Sequence, residues 1–223
     1  GFVVAQNHDA RGLDPMIVLD VPEDGTYLVR AFAFPAKPNS TIDFAGAGDY
    51  VYRLTITTGG FVDHTLPLAV QRAATTPVRL VGWNIPEDEA VFSVEVGEAA
   101  DRDRVGVVPQ NVAGCTELPI ADVPVVVELE NSTPASPQKL EIPALVSGTL
   151  TKSKEVDAYR FAAAKGQKLE LAVESRSLGL PLDAVLEVVD STGKVLSEND
   201  DAPRTQRDPL LKFTAPADSE YDV

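Results

Sequence analysis

Asn199, Asp201, Asp208 and Asp183 gather carboxylate and amide oxygens in one part of the chain, and Asn7, Asp9 and Asp14 repeat the pattern near its start. In an extended chain residues two apart point to the same side, so Asn199 and Asp201 face one way. Asp183 and Asp208 can then converge on the same end of a sandwich. Hard oxygen donors of this kind are what Ca²⁺ takes, which makes Ca²⁺ the cofactor to expect if the chain holds one. An EF-hand loop would want another oxygen donor two residues on, where Arg11 and Pro203 stand instead, so that class of site is excluded. The competing use for these side chains is structural, because Asp and Asn close turns by bonding their own backbone.

Nucleophilic and hydrolytic chemistry finds little support. His8 and His64 have no HExxH or triad-like surroundings, and no GxSxG elbow occurs. Glu87 and Asp88 sit in an acidic loop opened by a proline and are expected to be solvated. Cys115 is the only cysteine, so it forms no disulfide within the chain, and no neighbouring His or Cys gives it metal-ligand spacing. No catalytic residue is assigned, and the chain is expected not to be an enzyme.

The elements that would position the acidic residues are strands. Apolar residues alternate with period two between Gly, Pro, Asp and Asn, while no window of helical length sustains a 3.6-residue period. The pattern predicts strands at Phe2–Ala5, Met16–Asp20, Thr26–Phe34, Tyr50–Thr57, Pro77–Gly82, Val91–Val96, Val105–Val108 and Val123–Leu129. More follow at Ala144–Leu150, Ala158–Ala162, Lys168–Ser175, Ala184–Val189, Val195–Ser197, Leu210–Thr214 and Glu220–Val223. In Val156–Phe161 the alternation puts Asp157, Tyr159 and Phe161 on one face, so both aromatics are expected to enter the core. The fold class is all-β: antiparallel β-sandwich modules, jelly-roll or Ig-like, in tandem.

An internal repeat organises the chain. Residues 1–29 align with 193–223 once two residues are inserted in the second copy, pairing Asn7 with Asn199, Asp9 with Asp201, Asp14-Pro15 with Asp208-Pro209, and Tyr27 with Tyr221. His8 aligns with Asp200, so that position does not demand imidazole. The repeat predicts a segment that starts and stops partway through a recurring domain. Composition shifts at Thr58-Gly59-Gly60 and at the Ser/Thr/Pro-rich run Asn131–Gln138, read as a linker with no side chains suited to a core, divide it into parts of about 1–62, 63–135 and 136–223. The middle part holds the only Trp, Trp83, at the end of an apolar strand, as in a small Ig-like sandwich whose Trp covers one end of the core. Tyr27 and Tyr221 each follow an acidic turn, where the hydroxyl can reach a backbone acceptor at the sandwich edge.

Charge narrows the partners. With 19 basic against 34 acidic residues, the formal charge of −15 repels nucleic acid and anionic membranes. No run of about 18 apolar residues is present, so no membrane insertion is expected.

The third part resembles the bacterial pre-peptidase C-terminal (PPC) domain. The residues that carry the likeness are Val156-Asp157-Ala158-Tyr159-Arg160-Phe161, Lys165-Gly166-Gln167, Leu169–Val173 and Leu182-Asp183-Ala184-Val185-Leu186. They continue through Asp190-Ser191-Thr192-Gly193, Asn199-Asp200-Asp201 and Ala215-Pro216-Ala217-Asp218 with Tyr221. Residues 1–62 resemble the back portion of the same domain, with Gly25 where the later copy has Ser219, a change expected to make the second hairpin harder to close. The third part lacks the last strands. The resemblance implies a secreted or cell-surface bacterial protein in which these modules act as spacer, stabilising or adhesive units. Alternatively they target a secreted peptidase or glycoside hydrolase to its substrate. Expected partners are extracellular protein or polysaccharide and other domains of the parent chain.

Overall fold

A computed structural model describes residues 2–10, 13–35, 44–114, 116–130, 132–203 and 207–223. Cys115 therefore lies outside the described residues. The chain divides into two compact units, Gly1–Ile56 and Thr57–Val223.

Among its described residues the first unit forms no strand ladder, and an isolated antiparallel bridge joins Ala33 and Ala45. The four strands expected there are absent as ladders, although their apolar residues remain. Phe2, Leu28, Val51, Tyr52 and Ile56 are all exposed. Alternation marks a residue run that suits a sheet, but a ladder also needs a partner strand to take its N–H and C=O groups.

The second unit opens with two three-stranded sheets. One orders β1 (Phe61–Leu66), β3 (Ala74–Trp83) and β4 (Val91–Val96) as β1-β3-β4. The other orders β2 (Val70–Gln71), β6 (Thr116–Ala121) and β5 (Arg104–Val107) as β2-β6-β5. Along β3, Thr76, Val78 and Leu80 are buried while Thr75, Pro77 and Arg79 are exposed, the one-sided burial that period two encodes. The two sheets share one aliphatic core of Val62, Val70, Val78, Leu80, Val94, Val96, Val107, Val112, Leu118 and Ile120. Trp83 stays outside it and packs beside Phe61, ring centroids 6.4 Å apart, so it does not cap the core as the sequence suggested. Gly82 is required where β1 bulges between Val62 and His64, because a Cβ there would stand 2.0 Å from the Phe61 carbonyl oxygen.

Four strands escape the alternation rule. β1 carries Asp63, His64 and Thr65 in its centre, β6 contains Pro119, and β2 and β8 (Gln138–Lys139) are only two residues long. The connection between the sandwiches is itself structured. β7 (Val125–Val127) and β9 (Leu145–Ser147) pair in parallel, and β8 pairs in parallel with β10 (Tyr159–Ala163). The stretch expected to lack core-forming side chains buries Ser132 and Gln138, which bond each other.

The C-terminal sandwich adds β11 (Lys168–Ala172), β12 (Leu186–Val189), β13 (Val195–Asn199), β14 (Leu210–Thr214) and β15 (Ser219–Asp222). Its sheets are ordered β13-β12-β15-β10-β8 and β11-β14. Between them lie Phe161, Ala163, Leu186, Val188, Leu211, Phe213, Ala215 and Tyr221. The Tyr221 ring meets Phe213 edge-on at 5.2 Å. Phe161 enters this core as expected; Tyr159, also expected there, is half-buried outside it. Ser219 opens β15 opposite Ala163, and because β14 and β15 lie in different sheets the turn before it links the two sheets and does not close the hairpin that the sequence suggested.

Candidate functional site

The acidic residues singled out from the sequence stand mostly where the C-terminal sandwich turns its chain. Asp208 is buried and accepts four hydrogen bonds from one loop. These come from the N–H groups of Ser175 (3.1 Å), Arg176 (2.9 Å) and Ser177 (2.9 Å), and from the Ser177 hydroxyl (2.6 Å). Burial alone would raise its pKa, but these donors outweigh burial and hold the carboxyl below its ordinary value. Its partners form the entrance to a single 3-10 turn, Arg176–Leu178, which Gly179 ends at a φ of 77°. The residue thus fastens the loop after β11 to the start of β14.

Asn199 does similar work at the other side of that loop. Its side-chain oxygen accepts the Leu210 N–H at 3.0 Å, while its amide lies 3.4 Å from the Asp201 carbonyl. Asp201 takes its own N–H to the Asp200 carboxylate at 2.8 Å. Asp183 pairs with Arg176 at 3.2 Å on the surface. In the first unit the Asn7 side chain accepts the Met16 N–H at 3.1 Å, and the Asp14 carbonyl accepts the Ala10 N–H at 3.0 Å. The calcium expectation placed Asp183, Asn199, Asp201, Asp208, Asn7, Asp9 and Asp14 as oxygen ligands. At Asp208 the structure brings together the N–H groups of Ser175, Arg176 and Ser177 and the Ser177 hydroxyl on one carboxylate. Among the described residues, no group of three or more His, Cys, Asp or Glu side chains is arranged to hold a metal ion.

Three of these bonds correspond between the two aligned stretches. Asn7 to Met16 corresponds to Asn199 to Leu210, and Ala10 to Asp14 corresponds to Ala202 to Asp208, the latter at 3.3 Å. The Tyr27 hydroxyl donates to the Glu23 carbonyl at 2.8 Å, and the Tyr221 hydroxyl donates to the Ala217 carbonyl at the same 2.8 Å. The hydroxyl bond expected of each tyrosine is present in both places, but only Tyr221 has its ring in a core, Tyr27 being exposed.

Each histidine is engaged by close neighbours. His8 contacts Gln6 at 2.8 Å and stacks on Phe34, with ring centroids 5.9 Å apart. His64 meets its neighbour Asp63 at 2.7 Å within the β1 bulge, and among the described residues its ring bonds no hydroxyl or thiol that could act as a nucleophile. The sequence reading did not single out Glu128, whose carboxylate accepts the Thr149 N–H at 2.9 Å where Gly148 passes against it and the Tyr159 hydroxyl. Its signal was weak, an acidic residue following a valine run.

These observations define an all-β chain whose C-terminal sandwich uses its polar residues chiefly to hold turns. Residues 155–223 match the bacterial pre-peptidase C-terminal domain family. The match is a single one and covers less than a third of the chain. Modules of this family are non-catalytic accessory domains found in secreted peptidases and surface proteins. Searches of curated proteins and of solved structures returned no match. Among the described residues no helix is long and apolar enough to cross a membrane.

Proposed function

We propose that this chain is a non-catalytic extracellular segment of a larger secreted or cell-surface bacterial protein, acting as a spacer, stabilising or adhesive unit. In this reading residues 1–62 are the back portion of a second PPC-type module, 63–135 an Ig-like sandwich and 136–223 a PPC-type sandwich. The observation that carries it is the pair of matching hydrogen-bond sets, Asn7–Met16 with Tyr27–Glu23 and Asn199–Leu210 with Tyr221–Ala217. Equivalent residues making equivalent backbone bonds are what a duplicated module leaves behind. Side chains engaged in holding turns suit a mechanical role better than a chemical one.

The test is an assay of the purified chain on insoluble protein and on insoluble polysaccharide, scoring both retention and cleavage. Release of new amino termini or reducing ends, at a rate proportional to the chain added, would overturn the reading. Saturable retention without cleavage favours the adhesive unit or its close relative, a substrate-targeting module attached to a secreted peptidase or glycoside hydrolase. No retention on either material leaves the spacer role as the one supported.

A further inference from the structure

Two sandwiches on one chain move relative to each other unless the contact between them is extensive, so the fastening at each end of their connection decides what kind of spacer they make. The frame of this connection, between β6 and β10, is the parallel β7–β9 pair. Its ladder continues past both strands. The Leu145 N–H donates to the Pro124 carbonyl and the Glu128 N–H to the Ser147 carbonyl, each at 2.9 Å. The Glu128 carboxylate then accepts the Thr149 N–H at 2.9 Å, so the two segments leave the pair still tied.

The middle sandwich holds one side of this pair. The hydroxyl of Ser147, a residue 2 % exposed, accepts the Leu68 N–H at 3.0 Å, and the Gln71 side-chain oxygen accepts the Val125 N–H at 3.4 Å. Leu68 precedes β2 and Gln71 ends it, so one sandwich element reaches both β9 and β7.

The C-terminal sandwich holds the other side. Gln138 on β8 belongs to its five-stranded sheet and donates its N–H to the Ala158 carbonyl at 2.9 Å. Its buried side chain turns back to the end of β7, where the oxygen accepts the Leu129 N–H at 2.8 Å and the nitrogen donates to the Val127 carbonyl at 3.4 Å. The Ala158 N–H donates to the Ser132 carbonyl at 3.0 Å. Where β9 ends, a Cβ on Gly148 would stand 3.0 Å from the Tyr159 hydroxyl of β10, so the backbone passes directly against that strand.

The two fastenings are of one kind, a buried polar side chain bonded to the backbone of the neighbouring part. Tilting either joint would leave Ser147 or Gln138 buried without its partner, and such unmade bonds are costly. Directional bonds also fix an orientation that apolar contact alone would let slip.

We propose that the β7–β9 connection is a rigid splice, which holds the middle and C-terminal sandwiches in one fixed orientation, so that a spacer built on it transmits direction as well as distance. That use rests on the spacer reading given above; the rigidity itself does not.

The experiment measures backbone N–H residual dipolar couplings on the full chain in an uncharged aligning medium, with the β3–β4 ladder, the β10–β15 ladder and the β7 and β9 amides fitted separately. In the wild-type chain one alignment tensor is expected to reproduce all three sets. Ser147→Ala combined with Gln71→Ala opens the first fastening and is expected to give the middle sandwich its own tensor, while β7 and β9 stay with the C-terminal sandwich. Gln138→Ala opens the second and is expected to leave β7 and β9 with the middle sandwich. Each ladder's own fit reports whether its sandwich is folded, and Gln138→Leu, which keeps the bulk of the side chain, serves if Gln138→Ala loses the β10–β15 ladder. Two tensors in the wild-type chain overturn the splice. So does a single tensor that survives in either folded variant, because the coupling would then not run through these bonds. The retention and cleavage assay tests the spacer reading separately: a chain that is rigid here yet cleaves its substrate would sink that reading and leave the splice standing.

Discussion

Residues 7–29 and 199–223 close the same three hydrogen bonds, yet they differ in what surrounds them. Tyr221 is 2 % exposed and Tyr27 is 39 % exposed, with the same hydroxyl geometry. Leu211 and Phe213 lie in a core, whereas Ile17 and Leu19, which align with them, are exposed. The bonds close over short sequence distances and are set by local residue types. Burial depends on β10, β11 and β12, which precede the repeated stretch and supply the facing ladder and the other wall of the core. Local turn chemistry and tertiary packing are thus separable, and this chain displays one with and one without the other.

The sharpest way to break that contrast is to remove matched apolar side chains. Phe213→Ala takes a ring from the C-terminal core and is expected to cost about 3–5 kcal/mol, from the lost transfer energy and the cavity left behind. Leu19→Ala, its counterpart, is expected to change stability by less than about 0.5 kcal/mol. Urea unfolding of the full chain measures both. Equal costs would mean that residues 16–20 are packed in solution, and the contrast would fail.

Matched acidic residues give the next largest difference. Asp208→Ala strands the buried Ser175 N–H and removes the acceptor of Arg176 and Ser177, and is expected to destabilise by roughly 2–4 kcal/mol, against less than about 1 kcal/mol for Asp14→Ala. The pH dependence sharpens it. Asp208 is lowered in the folded state, so its contribution is complete above its ordinary 3.8 and is lost as pH falls through the lower folded value. Asp208→Asn should therefore flatten the acid limb of a stability-against-pH curve, leaving in place the opposite-signed contribution of Asp157, whose carboxyl is raised, chiefly by burial, from 3.8 to about 6. An unchanged acid limb would show that the loop opens before Asp208 titrates.

The tyrosine hydroxyls are a smaller version of the same comparison. Tyr221→Phe loses a bond in a buried setting and is expected to cost about 1 kcal/mol, while Tyr27→Phe exchanges a protein partner for water and should be near neutral. Similar costs for the two would indicate that solvent reaches Tyr221 as readily as Tyr27.

What the sequence made legible follows the same division. β4 and β14 lie at the expected residues, because Val91–Val96 and Leu210–Thr214 are bounded alternations that find partners. The Asp190–Gly193 stretch, named for the family likeness, is a reversal built from turn-forming residue types. Asp190 accepts the N–H groups of Thr192 and Lys194, and Gly193 takes a φ of 86°. β1 and β6 were hidden because their stability comes from pairing and not from their own residue types: Asp63 and His64 fill a bulge, and Pro119 interrupts a run that the strand tolerates. The Asp208 loop was visible as a polar cluster, but its donors lie more than thirty positions earlier in the chain, so no local pattern distinguishes a cap from a ligand there.

Calcium offers the smallest expected effect and bears on both copies at once. A cation that binds the folded chain raises its stability by mass action, so the relevant measurement is thermal unfolding with excess Ca²⁺ and with chelator. In both copies the asparagine oxygen is already given to a backbone N–H nine or eleven residues on, and at Asp208 the carboxylate receives Ser175, Arg176 and Ser177. Binding would have to break bonds that hold the turns, so the expected change in unfolding midpoint is within about 1 °C. A larger rise that Asp201→Asn or Asp183→Asn abolishes would move the oxygen ligands to the exposed rim of the loop. If Asp9→Asn abolished it instead, the first copy would hold the site, and the two regions would differ in chemistry as well as in packing.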